Sequence, residues 1–186
     1  MRKFALPLLA AMFFAQPAYA QPQKWHAVKE YGLRLAYPAH AAVCESSSEW
    51  GEHLHGWSLP IDGNCESATR AINVLADYNS EFSRTPEKAT FCNEQGGSLP
   101  AGAKLKLSFP GRHSATCLKE KANGEILLTV VAQAWRWPGS DSKQDADFRT
   151  AWVNYTAYLW TTRPQLAKDI ITLRSVLRRV QISSPE

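Results

Sequence analysis

The stretch HSATCLKEKANGEILLTVVAQAWRW, residues 113–137, decides the fold. Two extended arms meet at Asn123-Gly124. Both central residues of a type I′ turn need positive φ, which Asn and Gly tolerate, so the pair predicts a β-hairpin. Its arms are a strand over 113–122 and a long apolar strand over 125–137. Working outward, Gly32 to Tyr37 alternates with Leu33, Leu35 and Tyr37 on one face, and Pro38 stops it. Gly56 to Ile61 reads as a short strand and Asp62-Gly63-Asn64 as a turn. Arg70 to Tyr78 reads as a strand with Ile72, Val74, Ala76 and Tyr78 inward and Asn73 and Asp77 outward. Lys104 to Phe109 alternates again, and a last strand spans Val153 to Trp160.

Two helices complete the pattern. Thr85, Pro86 and Gly96-Gly97 bracket a short one. The C-terminal helix begins near Pro164, and Leu166, Ile170, Leu173, Leu177 and Val180 draw one apolar stripe along it. Lys168, Arg174, Arg178 and Arg179 fall outside that stripe, as on a solvated outer face. The expectation is a single α+β domain over 21–186: a mainly antiparallel sheet covered by one long and one short helix.

Residues 1–20 read as a secretory signal. Arg2 and Lys3 precede an apolar run from Phe4 to Phe14, and Ala18-Tyr19-Ala20 supplies a small-x-small cleavage pattern. The run is too short to span a bilayer. The mature chain is expected to begin near Gln21, in a periplasmic or secreted setting. Of 21 Lys and Arg, two fall in the signal, against none of the 17 acids. The remaining chain therefore carries 19 against 17, a net charge of +2, which argues against a nucleic-acid binder. Four cysteines, Cys44, Cys65, Cys92 and Cys117, read as two disulfides in an exported chain. Of three connectivities, sequential pairing (Cys44–Cys65 and Cys92–Cys117) closes the shorter loops.

The opening Gly32-Leu33-Arg34-Leu35-Ala36-Tyr37-Pro38 strand, the antiparallel sheet and the closing strand plus amphipathic helix resemble the PsbP-like α/β domains. The resemblance covers nearly all of the chain after residue 20 at the level of element order. It implies a fold and a non-enzymatic accessory role, and it carries over no functional residue. The chain departs from it after Pro38, where Ala39-His40-Ala41-Ala42 replaces a common aromatic, and in its cysteines.

Candidate chemistry is sparse. Glu52-His53-x-His55 has metal-ligand residue types, yet its spacing matches no established site, and a solvated loop is the plainer reading. No cofactor is expected. No G-x-S-x-G elbow is present, and no catalytic residue is assigned. Glu45, Glu49, Glu52 and Asp62 are acids close in sequence, which is also loop composition. The tryptophans are more informative. Trp135-Arg136-Trp137 ends the long strand, and Trp152 or Trp160 of the last strand could join them in an aromatic patch. Trp and Arg suit an interface, whereas core packing explains most buried tryptophans. The leading binding residues are therefore Trp135, Arg136 and Trp137. Together these features favour an exported, non-catalytic binding protein, such as an immunity or inhibitor protein with a protein partner in the cell envelope. The alternatives are a glycan or peptidoglycan binder and a small metal-dependent hydrolase using His53 and His55.

Overall fold

A computed structural model of the protein describes residues 22–45, 54–77, 92, 96–98, 105, 107–136 and 152–184, with backbone alone at 133–136 and 152. The expected signal segment lies outside these residues. So does the expected short helix over 85–96, apart from Cys92, which is helical, and Gly96. The elements are β1 (Gln23–Val28), β2 (Leu33–Pro38), β3 (Cys44–Glu45), β4 (Leu54–Pro60), β5 (Ala71–Asp77), β6 (Ser114–Glu120), β7 (Glu125–Arg136), β8 (Trp152–Thr162), helix α1 (Leu166–Leu177) and β9 (Val180–Ile182). They form two antiparallel sheets and one α-helix among the described residues. The larger sheet has the order β3-β4-β5-β8-β7-β6 and the smaller one β1-β2-β9. No helix among the described residues is long and apolar enough to cross a membrane.

Alternation builds the main core. Val153, Tyr155, Ala157 and Leu159 of β8 are all fully buried on one face of the large sheet. Ile72, Val74 and Ala76 of β5 join them, as do Leu33 and Leu35 of the small sheet and Ile170, Leu173 and Leu177 of α1. The two sheets are also tied by polar bonds. The Tyr155 hydroxyl donates to the Tyr31 carbonyl at 2.6 Å, and the Ala36 N–H donates to the Arg179 carbonyl at 3.1 Å. At Gly56 the strands approach so closely that a Cβ would lie 2.0 Å from the Val74 carbonyl oxygen. Only glycine fits there.

Several expectations are corrected. The hairpin forms, but with a three-residue loop instead of a type I′ turn. Gly124 N–H donates to Lys121 O, Lys121 N–H donates to Glu125 O, and Gly124 takes a φ of 81°. The Asn123 side chain accepts the Glu125 N–H at 3.1 Å, and that local bond favours the longer loop. Helix α1 stops at Leu177, and Val180 pairs instead with Leu35 across β9. Leu107 and Phe109 are buried as their alternation predicts, yet they form no strand. The Leu107 carbonyl accepts the Thr116 hydroxyl rather than a ladder N–H. Asn73 is buried too, because β5 is an interior strand covered on both faces.

One expected bridge forms. Cys44 and Cys65 are joined across a 21-residue separation, with Cα atoms 5.7 Å apart. Closing such a loop stabilises by roughly 3 kcal/mol and holds the two-residue strand β3 to the loop after β4. The second expected bridge is not formed. Cys92 and Cys117 are free, neighbouring thiols in a small buried cluster with Ala115 and Val131. Each thiol finds a carbonyl acceptor: Thr116 O at 3.6 Å for Cys92 and Ser98 O at 3.7 Å for Cys117. Burial, then the adjacent Cys117, pushes the Cys92 thiol up to about 12, so it resists alkylation. Thiol titration is therefore expected to find no reactive thiol in the native protein and two after denaturation without reductant. A denatured titre of zero would show the second bridge closed, and four would remove Cys44–Cys65.

Candidate binding site at Trp160

Asp169 organises the site. It lies on α1 three residues after Leu166, four before Leu173 and seven before Val176, so it falls within the buried arc of the helix. Its side chain is fully buried. A bare carboxylate there would be costly, and two groups compensate it. Arg70 Nη1 lies 3.0 Å from both carboxylate oxygens, and the Thr161 hydroxyl donates to one of them. Arg70 is in turn fixed by Asp62, whose carboxylate accepts from Arg70 Nε at 3.0 Å and from the Arg70 backbone N–H at 2.8 Å. Asp62 also accepts the Thr69 hydroxyl and N–H at 2.9 and 3.0 Å. The Asp62-Gly63-Asn64 turn expected from the sequence thus becomes a clamp that aims Arg70 at the helix.

This network forms one wall of an open pocket of about 300 Å³. The pocket is lined by Thr69, Arg70, Glu125, Trp160, Thr161, Thr162 and Gln165. Each element contributes for a local reason. Trp160 and Thr162 sit on alternate positions at the end of β8, opposite Leu127 and Glu125 of β7. Gln165 precedes α1 and accepts from Arg70 Nη1 at 3.3 Å. Trp160 is half-buried, and the Lys121 ammonium stands 4.8 Å from its ring centroid. Lys121 is also paired with Glu125 at 2.9 Å, with both side chains close to half exposed.

The electrostatics favour recognition over proton transfer. Hydrogen bonds from Arg70, first its backbone N–H and then its side chain, pull the Asp62 carboxyl down to about 2. Lys121 and Asn123 likewise lower Glu125. Neither carboxyl holds a proton at neutral pH, so neither is poised as the general acid that glycoside hydrolysis needs. Two cations, Arg70 and Lys121, face three carboxylates, Asp62, Asp169 and Glu125, so the site has no excess charge to attract an anion.

The residues singled out by sequence are distributed differently. Trp135 and Arg136 lie past an irregularity in β7, in register with Val153 and Trp152. Trp137 lies outside the described residues. Trp160 is eight residues further along β8 than Trp152, roughly 26 Å in an extended strand. An aromatic patch uniting Trp160 with Trp135 is thus ruled out, and only Trp152 keeps that neighbourhood. Trp57 is core, and Trp25 is exposed beneath the Arg34 guanidinium at 4.9 Å. His55 is on β4, stacked on the buried Tyr31 ring at 4.9 Å, rather than in a loop; Glu52 and His53 lie outside the described residues. Among the described residues no group of three His, Cys, Asp or Glu could hold a metal. Arg163 pairs with Glu120 on the surface. Sequence reasoning missed Arg70, Asp169 and Gln165, and an acid inside an apolar helical arc was the available signal. No protein-family model matches the chain, and no curated protein matches it.

The depressed Asp62 carboxyl carries a pH signature. Its charge stabilises the fold above about pH 4, and that contribution is lost as pH falls toward its folded value of about 2. Urea midpoints measured from pH 5 to pH 2 should fall less steeply in Asp62→Asn than in the wild type. Equal slopes would mean that Asp62 is not held by Arg70.

Proposed function

We propose that this chain is an exported binding protein of the cell envelope whose Trp160 pocket takes a carbohydrate. One observation carries the reading: a half-buried tryptophan walls a pocket of about 300 Å³ otherwise lined by hydroxyl, amide, guanidinium and carboxylate groups. A pyranose has a matching duality, with a face of C–H groups and a rim of hydroxyls that both donate and accept. The indole meets the apolar face, and Arg70, Gln165, Glu125 and the threonines meet the rim. The volume is at the small end of ligand sites, which suits one or two sugar residues. The Cys44–Cys65 bridge fits an oxidising compartment, and the segment 1–20 supplies the export route in this proposal. The hydrogen bonds that hold Asp62 and Arg70 to each other give the site rigidity, in keeping with binding.

A PsbP-like ancestry belongs to the same proposal. Its support is the Leu33–Pro38 strand, the antiparallel sheet and the late amphipathic helix, although β1 precedes that strand and β9 follows the helix. Such an origin agrees with an accessory, non-enzymatic role.

Tryptophan fluorescence titrations with chito-oligosaccharides and soluble peptidoglycan fragments test the function. Trp160→Ala is expected to keep the fold, because the side chain is partly exposed and lies outside the main core, and to weaken binding at least about tenfold. Binding that survives Trp160→Ala would move the site elsewhere. Failure of every glycan, with capture of an envelope protein instead, would favour the inhibitor or immunity reading.

A further inference from the structure

Lys121 stands beside the pocket, against two of the residues that line it. Its ammonium lies over the Trp160 ring at 4.8 Å and against the Glu125 carboxylate at 2.9 Å. The hairpin holds it there, because Lys121 and Glu125 flank the three-residue loop and share the Lys121 N–H to Glu125 O bond. Both contacts are weak singly. The Lys121 and Glu125 side chains are close to half exposed, so solvent screens the ion pair and weakens the cation–π contact. Lys121 is therefore displaceable, while the groups that hold its ammonium stay in place. Its departure would leave Arg70 alone facing three carboxylates. A neutral ligand that moved it would uncover that imbalance, whereas a ligand bringing its own ammonium would restore it.

We propose that the natural ligand is an amino sugar with a free amine, whose primary ammonium displaces Lys121 Nζ from the Trp160–Glu125 corner. This rests on the carbohydrate reading of the same pocket. The sugar ring then extends toward Thr69, Arg70 and Gln165, and Lys121 acts as an internal competitor that sets the affinity. No covalent step is involved. The ammonium-for-ammonium exchange keeps the site's charge constant.

Fluorescence titration with glucosamine oligomers and with fully N-acetylated oligomers of the same length tests it, because acetylation turns each ammonium into a neutral amide bearing an acetyl group while the ring hydroxyls are unchanged. The glucosamine oligomer should bind the wild type about tenfold more tightly. Lys121→Met should raise that affinity by roughly tenfold, since the competitor is gone, and Glu125→Gln should lower it by a similar factor. The acetylated oligomer should respond little to Glu125→Gln. Both substitutions are at exposed positions, so the fold survives them. Equal binding of the two oligomers, unchanged by Glu125→Gln, would overturn the ammonium assignment and leave the carbohydrate site standing. Binding of neither oligomer, to the wild type or to Lys121→Met, would overturn both.

Discussion

A buried carboxylate must be compensated where it sits, and Asp169 is the one whose compensation organises this molecule. Arg70 reaches it from the start of β5, and Thr161 reaches it from the end of β8. The same contacts therefore fix α1 against two neighbouring strands of the large sheet. Replacing the network by apolar groups need not weaken the fold, but removing one partner leaves a charge stranded, at a cost of about 3–5 kcal/mol. What the network adds is position: the register of the helix on the sheet and the direction of Arg70. Asp62 supplies the outer half of that direction, so the guanidinium is held from both sides.

The site follows from this anchoring. Trp160 and Thr162 face outward beside it because β8 alternates, with Leu159 in the core and Thr161 turned to Asp169. Lys121 and Glu125 arrive from the hairpin that closes β6 onto β7. A polar wall held by ion pairs and a partly buried indole lie beside Lys121, and the proposed polyhydroxylated, amine-bearing ligand would meet them together.

Local signals in the sequence were legible and non-local ones were not. Asn123-Gly124 marks the hairpin, because turn geometry is decided by the residues in the turn. The loop length escaped, because it depends on where the Asn123 amide bonds. The stripe Leu166, Ile170, Leu173 and Leu177 marks the helix; its end at Leu177 depends on Val180 finding Leu35 in a distant strand. Strand β1 has a mostly exposed, non-alternating pattern and exists only as the edge partner of β2, so no periodicity announced it. Trp160 drops out of the expected tryptophan patch for a similar reason. Trp135 and Trp160 are on neighbouring strands, but the antiparallel register places them at opposite ends. Asp169 carried a readable anomaly, an acid within an apolar arc, and its partner Arg70 is 99 residues away.

The claim that Arg70 and Asp169 act as one unit is tested most directly by a double-mutant cycle read by urea unfolding at neutral pH. Arg70→Met alone should destabilise by about 3–5 kcal/mol, because Asp169 is left buried and unpaired. Adding Asp169→Leu to that variant should recover most of the loss. If instead the two substitutions add to within about 0.5 kcal/mol, the pair is not coupled and the fold does not depend on it.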